Sequence, residues 1–204
     1  MLGPWMSLLA PPRCAGCDAL LAREAVFCGA CVATLLPPPS LPSWVAAAFA
    51  YGGALADAIR SAKYQGRLDR LRLLGHALTT ALPALDLGEV EIVAPAPLHG
   101  LRLRERGYDQ AAVLAYAVAR ALGRRCEPEL LARTIDTPQL AGLDGKRRAS
   151  AVSGAFVAKA CAGLRVLLVD DVYTTGATLG AARDAIEAAG GRARALVLAA
   201  TPKD

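Results

Sequence analysis

Apolar runs alternate along the chain with segments in which apolar residues recur every three or four positions. Residues 166–169 are wholly apolar and rich in β-branched side chains, which is typical of a strand buried on both faces of a parallel sheet. Similar apolar stretches predict further strands over residues 44–51, 90–94, 129–134, 155–158 and 194–200. The first of these would serve equally well as one arm of a hairpin. The pattern therefore predicts a central β-sheet.

Helical periodicity fills the intervals between these strands. Apolar residues spaced three or four apart predict helices over residues 54–64, 68–82, 110–122 and 179–189. Asp109 precedes the third helix as a predicted N-cap. Strands that alternate with helices are typical of an α/β fold. We therefore expect a doubly wound, mostly parallel sheet.

Composition limits the chain to one medium domain with a small appendage. Its 204 residues are 54% hydrophobic, which is enough for a sizeable core. No apolar run reaches the length of about 18 residues that spans a bilayer, and the first residues are a poor secretory signal. We therefore expect no membrane span and a cytoplasmic location, where thiols stay reduced.

The balance of charge is basic. The net charge of +5 favours an anionic ligand such as a polyphosphate or nucleic acid, without choosing between them. Basic residues of the first two predicted helices, Arg67 and Arg70 among them, are expected to form a solvated face rather than a binding patch.

Four cysteines near the amino terminus form two C-x-x-C pairs. Cys14 and Cys17 make the first, Cys28 and Cys31 the second, and ten residues separate them. This spacing predicts a tetrahedral Cys₄ zinc site, and four thiolates leave no open position, so the metal would be structural. A redox or disulfide role is the competing interpretation. The segment is too short to bury its own core, so the metal would supply its folding energy.

A proline-rich stretch follows the cysteines. Prolines favour extended backbone, so residues 37–43 are predicted to be a linker. The expected organisation is a leader and zinc ribbon over residues 1–36, this linker, and a main domain over residues 44–204.

An acid pair and a small-residue turn follow the strand predicted at 166–169. Asp170 and Asp171 would lie at the carboxyl end of that strand, where open α/β sheets place their ligands. The turn, which precedes a helix, consists of Thr174, Thr175, Gly176, Ala177 and Thr178. Backbone N–H groups and the positive end of the helix dipole suit a phosphate there. The carboxylates would accept hydrogen bonds from ribose hydroxyls or hold a hydrated Mg²⁺. An ordinary turn with an Asp cap is the alternative.

A basic loop follows the strand predicted at 90–94. Its sequence GLRLRERGYDQ carries Arg102, Arg104 and Arg106. Guanidinium groups beside a ribose-phosphate site would bind pyrophosphate. A solvent-facing basic loop is the alternative.

The motifs resemble a known family when they are taken in order. The series C-x-x-C…C-x-x-C, KYQG, PAPLH…RERGYDQ, DTPQLAGL, RRASAVSGAF and VLLVDDVYTTGATL resembles the ComF (competence protein F) family over nearly the whole chain. The last motif also resembles the 5-phosphoribosyl-1-pyrophosphate (PRPP) motif of type I phosphoribosyltransferases. This resemblance implies a phosphoribosyltransferase-like domain behind a zinc ribbon. It also implies that Asp170 and Asp171 face the ribose as the catalytic pair, with the turn from Thr174 to Thr178 on the 5′-phosphate.

The resemblance adds Lys63, in KYQG, to the three arginines as a candidate for binding pyrophosphate. It implies displacement of pyrophosphate from PRPP with Mg²⁺, with a nucleobase as acceptor, in nucleotide metabolism or DNA uptake. The second hypothesis is a non-enzymatic protein that handles single-stranded DNA during natural transformation, with PRPP as a regulatory ligand. The acceptor and the oligomeric state stay open, and a homodimer is compatible with the sequence. Asp109 stands where the family usually carries Asn.

Overall fold

A computed structural model of the protein describes residues 11–98, 103–105, 107–134 and 154–202. The strands in chain order are β1 (Val45–Ala50), β2 (Ile92–Pro95), β3 (Arg125–Cys126), β4 (Leu131–Arg133), β5 (Phe156–Ala158), β6 (Arg165–Tyr173) and β7 (Arg192–Ala200). The helices are α1 (Gly29–Val32), α2 (Gly53–Tyr64), α3 (Leu68–Ala81), α4 (Gln110–Leu122) and α5 (Ala177–Ala188), with a 3₁₀ turn at Leu82–Ala84.

Five of these strands form one parallel sheet. Their order is β1-β7-β6-β2-β3, and every neighbouring pair runs parallel. The remaining strands, β4 and β5, pair with each other in an antiparallel hairpin. In this order, strands that are far apart in the chain lie side by side, as β1 does with β7 and β2 with β6. This confirms the predicted doubly wound, mostly parallel sheet.

Helices cover both faces of the sheet. In β6, Leu167 and Val169 pack with α2, α3 and α4. Their neighbours Val166 and Leu168 pack on the other side with α5 and the β4–β5 hairpin. Each fully buried Leu or Val contributes about 1.5–3 kcal/mol relative to an exposed one. Burial on both faces is the reason that this strand is continuously apolar in sequence.

The strand β6 is longer than the apolar run predicts. The sequence places its end at Val169, but the ladder with β7 continues to Tyr173. Asp170 therefore lies inside the strand, where its backbone pairs with that of Val197. A parallel ladder is held by backbone hydrogen bonds, so two acidic side chains near its end do not interrupt it. The two-residue β3 was not predicted.

The cysteine-bearing segment packs against the helices on one face of the sheet. Cys14, Ala15, Phe27 and Cys31 belong to the same buried cluster as residues of α2 and α3. The domain limits at residues 36 and 43 stay predictions. Within the described ranges, no helix is both long enough and apolar enough to cross a bilayer.

Candidate functional site

A cleft of about 490 Å³ opens at the carboxyl ends of the parallel strands. It is bordered by the end of α2, the loop after β2, the start of α4, the end of β4, and β6 with the loop that follows it. Lys63, Asp170, Asp171, Thr174 and Thr178 all line this cleft. The fold thus brings the acid pair, two threonines of the predicted turn and the predicted lysine together.

Lys63 and Asp171 form an ion pair inside the cleft. Lys63 Nζ lies 2.7 Å from Asp171 Oδ2, and the two side chains are 20% and 12% exposed. At this degree of burial, each charge compensates much of the other's lost hydration. Lys63 extends from the last turn of α2 and Asp171 from β6, so the pair also ties that helix to the sheet.

Asp170 is held differently from Asp171. Its Oδ1 accepts a hydrogen bond from the backbone N–H of Asp171 at 2.8 Å. Burial raises the pKa of Asp170 to about 8, and the negative charge of Asp171 adds to this, against the opposing effects of that N–H and of Lys63. The two adjacent acids therefore differ in their surroundings: Asp171 faces the Lys63 ammonium, and burial raises the pKa of Asp170 above its usual range.

The turn after β6 contains a glycine that lies directly against the ring of Tyr173. Gly176 is the N-cap of α5 and has a φ of 80°, in the left-handed region. A Cβ at this position would lie 2.6 Å from Cζ of Tyr173, so a larger residue does not fit. Within the described residues, α5 has no side-chain cap, and Thr175 Oγ1 accepts only a long 3.5 Å bond from the N–H of Ala177. The start of α5 can therefore donate backbone hydrogen bonds to an anion.

Asp109 adds a third acid to the cleft wall. Its Oδ1 accepts from the N–H of Ala112 at 3.1 Å, which confirms the predicted cap of α4, and its Oδ2 accepts from the N–H of Leu98 at 3.3 Å. Burial raises the pKa of Asp109, and the charge of Asp171 raises it further, against these N–H bonds. In an Asn, an NH₂ group would replace one of these two oxygens and would face an N–H donor, so one of the two bonds seen here would be lost. The second oxygen therefore explains why Asp suits this position.

Arg133 is a cleft residue that the sequence analysis missed. It ends β4 and lines the cleft, with Cζ 5.5 Å from the centroid of the Phe156 ring on the paired strand. Phe156 is buried, so the guanidinium rests against a fixed surface. A single arginine at the end of a short predicted strand carries no distinguishing signal in sequence.

The predicted arginine loop is described only in part. Arg104 is exposed. Arg102 and Arg106 lie outside the described residues. The assignment of all three to pyrophosphate stays a prediction.

The four amino-terminal cysteines form a compact cluster. Their Sγ atoms all lie within 4.8 Å of one another. Burial disfavours the Cys14 thiolate, but backbone N–H groups, chiefly of Cys17 and Cys28, outweigh it and lower the pKa of Cys14 to about 6. A Cβ at Gly16 would lie 3.0 Å from Cys31 Sγ, so the chain turns closely around the sulfurs. The donor set and its spacing fit a tetrahedral metal ion such as Zn²⁺.

Comparison with known proteins finds a relative that is similar over most of this chain. No family model matches the sequence. Competence protein F of Haemophilus influenzae is 33% identical over 176 residues, which cover 82% of this chain and 75% of that protein.

Several solved structures are similar to this chain. UMP synthase of Leishmania donovani is 17% identical, with a TM-score of 0.40 over 69% of this chain and 24% of its own. Glutamine PRPP amidotransferase of B. subtilis is 20% identical, with a TM-score of 0.39 over 62% and 25%. Adenine phosphoribosyltransferase of Leishmania donovani is 13% identical, with a TM-score of 0.39 over 69% and 68%. The chain spans about a quarter of the length of the first two.

Proposed function

The chain belongs to the competence protein F (ComF) family, and from this premise we propose that its cleft binds PRPP and transfers the phosphoribosyl group. The observation that carries the proposal is the convergence of Asp170, Asp171, Thr174, Thr178 and Lys63 in one cleft of about 490 Å³. PRPP presents a diol, a 5′-phosphate and a diphosphate, and these need acceptors, donors and cations in one place. The volume lies in the range of small-molecule sites.

Each part of PRPP has a matching group in this assignment. Asp171 accepts a hydrogen bond from a ribose hydroxyl, and Asp170, whose pKa is raised, can both donate and accept when it carries a proton. The N–H groups at the start of α5, with the threonine hydroxyls, bind the 5′-phosphate. Lys63 and Arg133 supply positive charge toward the diphosphate.

Mg²⁺ would enter this site together with the diphosphate. Among the described residues, only the four cysteines form a group of at least three potential metal ligands within reach of one another. The cleft carboxylates would therefore contribute one or two oxygens and the diphosphate the remainder, which is the usual way that Mg²⁺ is held. When bound, the ion offsets the negative charge on the departing pyrophosphate.

The proposed reaction is displacement at the anomeric carbon of the ribose. The bond from that carbon to pyrophosphate breaks, a bond to a ring nitrogen of an acceptor base forms, and any proton on that nitrogen passes to the departing pyrophosphate. Positive charge develops on the ribose as the leaving group departs, and the Asp171 carboxylate stabilises it electrostatically. Lys63 and Arg133 stabilise the negative charge that accumulates on pyrophosphate.

Calorimetric titration with PRPP and Mg²⁺ tests the binding step. We expect the wild type to bind, and the double variant Asp170→Asn/Asp171→Asn to lose at least about tenfold in affinity, since it removes charge-assisted hydrogen bonds. Asp184→Asn changes an exposed acid of α5 and serves as the control. The assignment fails if the wild type does not bind or if the double variant binds equally well. A screen of purine, pyrimidine and pyridine bases for pyrophosphate release then tests transfer.

The metal cluster has a structural role in this proposal. Four thiolates saturate a tetrahedral Zn²⁺, so no position is left for substrate or water. The cluster shares its buried surface with α2 and α3, so the ion would stabilise the main domain as well as its own segment.

Binding of single-stranded DNA is a second candidate function, with PRPP as the regulatory ligand. The observation that favours it is Tyr64, which lines the cleft and is 74% exposed, because an exposed aromatic ring can stack on a base. Such binding should weaken steeply with salt. Gel shifts at two salt concentrations with the wild type and Tyr64→Ala test it. Affinity that is insensitive to both changes would rule it out.

A further inference from the structure

The cysteine-bearing segment holds α2 at both of its ends. We propose that these contacts position Lys63 for the ligand, with Asp18 and Thr34 as positioning residues. The inference rests on the proposed function, because it takes the cleft around Lys63 as the PRPP site.

The first contact is at the start of α2. Gly52, the N-cap of this helix, has no side chain to cap it. Thr34 provides the missing acceptor from outside the helix: its Oγ1 accepts from the N–H of Ala54 at 3.1 Å and donates to the carbonyl of Cys31 at 2.8 Å. A Cβ at Gly16 would lie 2.8 Å from that of Ala54. The turns that carry the sulfurs therefore touch the beginning of α2 directly.

The second contact is just beyond the end of α2. Asp18, the residue after Cys17, pairs with Arg67 at 3.0 Å and with Arg70 at 3.4 Å. Both arginines lie at the start of α3, a few residues after Lys63. The Arg70 side chain is only 10% exposed, so Asp18 compensates a charge with little access to water. The cysteine-bearing segment thus fixes the turn that follows Lys63.

The two contacts together restrict how α2 can move. A helix of twelve residues is a stiff rod about 18 Å long, and Lys63 lies in its last turn. With both ends held, the helix cannot slide or rotate without breaking one of these contacts. The 2.7 Å pair between Lys63 and Asp171 then has a defined geometry. A misplacement of about 1 Å in a group that binds the reacting part of a substrate can cost about 100-fold.

A double-mutant cycle separates positioning from general stabilisation. In titrations with PRPP and Mg²⁺, Asp18→Asn should weaken binding about 3- to 10-fold and Lys63→Met about tenfold or more. The combined variant should bind no more weakly than Lys63→Met alone, because Asp18 acts through Lys63. Asp57→Asn is the matched control, since it removes an exposed ion pair with Arg60 on the same helix.

Thr34→Val provides a second, isosteric test at the other end of the helix. Hydrogen exchange without ligand should be faster for the amides of α2 in Thr34→Val and in Asp18→Asn, while the amides of α5 stay protected as in the wild type. Wild-type affinity in a folded Asp18→Asn protein, or losses that add in the double variant, would overturn the inference. Failure of the wild type to bind PRPP would overturn the proposed function, and the exchange rates would still test whether α2 is held.

Discussion

The ammonium of Lys63 and the carboxylate of Asp171 lie 2.7 Å apart where α2 meets β6. Lys63→Met should leave the Asp171 carboxylate partly buried without its counter-ion, and destabilise the protein by about 2–4 kcal/mol. Asp171→Asn in the same chain should recover part of this loss. Lys159 is the matched control: it pairs with Glu129 at 3.0 Å, but the two side chains are 65% and 84% exposed. Lys159→Met should cost less than about 1 kcal/mol in urea denaturation. An equal loss in the free energy of unfolding for Lys63→Met and Lys159→Met would contradict this prediction.

Asp170→Asn should flatten the dependence of stability on pH. Burial raises the pKa of Asp170 to about 8, so the native state keeps a proton that the unfolded chain releases near pH 4. The native state then binds more protons than the unfolded state between about pH 4 and 8, and the free energy of unfolding falls as the pH rises through that window. Melting temperatures at about pH 5 and pH 9 should differ less for Asp170→Asn than for the wild type. Parallel pH curves for the two proteins would refute this.

Gly176→Ala should destabilise the turn before α5. The φ of 80° disfavours any residue with a Cβ, and the added methyl would collide with the Tyr173 ring. A cost of about 1–3 kcal/mol is expected, with weaker PRPP binding. Gly180→Ala is the control within α5, because a Cβ there meets nothing within 4 Å. It should stabilise the helix by about 0.5–1 kcal/mol. Thermal unfolding of both variants measures the contrast, and a Gly176→Ala protein as stable as Gly180→Ala would contradict it.

Arg133→Gln should weaken binding of inorganic pyrophosphate by about tenfold or more, because it removes a guanidinium that lines the cleft and that we propose contacts the diphosphate. Arg183→Gln is a matched control. Arg183 also stacks on an aromatic ring, since its Cζ lies 5.0 Å from the centroid of the Trp44 ring. It lies on α5, however, and not in the cleft wall. Calorimetric titration of both variants with pyrophosphate and Mg²⁺ provides the comparison. Equal losses in the two would show that Arg133 acts only through general charge.

The cysteine cluster should bind about one Zn²⁺ per chain. Cys31→Ser should lose the metal and lower the melting temperature, since it removes one of the four sulfurs of the cluster at a buried position. Cys126→Ser is the control, because Cys126 lies on β3 outside the cluster. Elemental analysis with thermal unfolding measures both effects. A metal-free wild type that melts normally would refute the structural role.

Local patterns predicted most of the elements and the members of the cleft that lie close in sequence. The helix at Gln110–Leu122 and the carboxylate that caps it were both foreseen, because periodicity and capping are properties of neighbouring residues. The end of β6 was not, since a ladder with β7 depends on backbone partners far away in the chain.

Contacts between distant segments could not be foreseen in the same way. The sequence favours a solvated face for Arg67 and Arg70, and this was wrong, because Asp18 pairs with both and Arg70 is buried. Arg133 was missed for a similar reason: its place beside the acid pair follows from the hairpin and from its stacking on Phe156. Charge periodicity on one helix carries no information about which other segment covers it.

The sheet order has a consequence for the nascent chain. Among the described residues, β1 hydrogen-bonds in the sheet only with β7, and the other described strands lie between these two in the chain. During translation, β1 therefore cannot pair with β7 until residues up to Ala200 have left the ribosome exit tunnel. This pairing joins segments far apart in the sequence, so it should form slowly, and the unpaired edge of β1 is exposed to aggregation until it does.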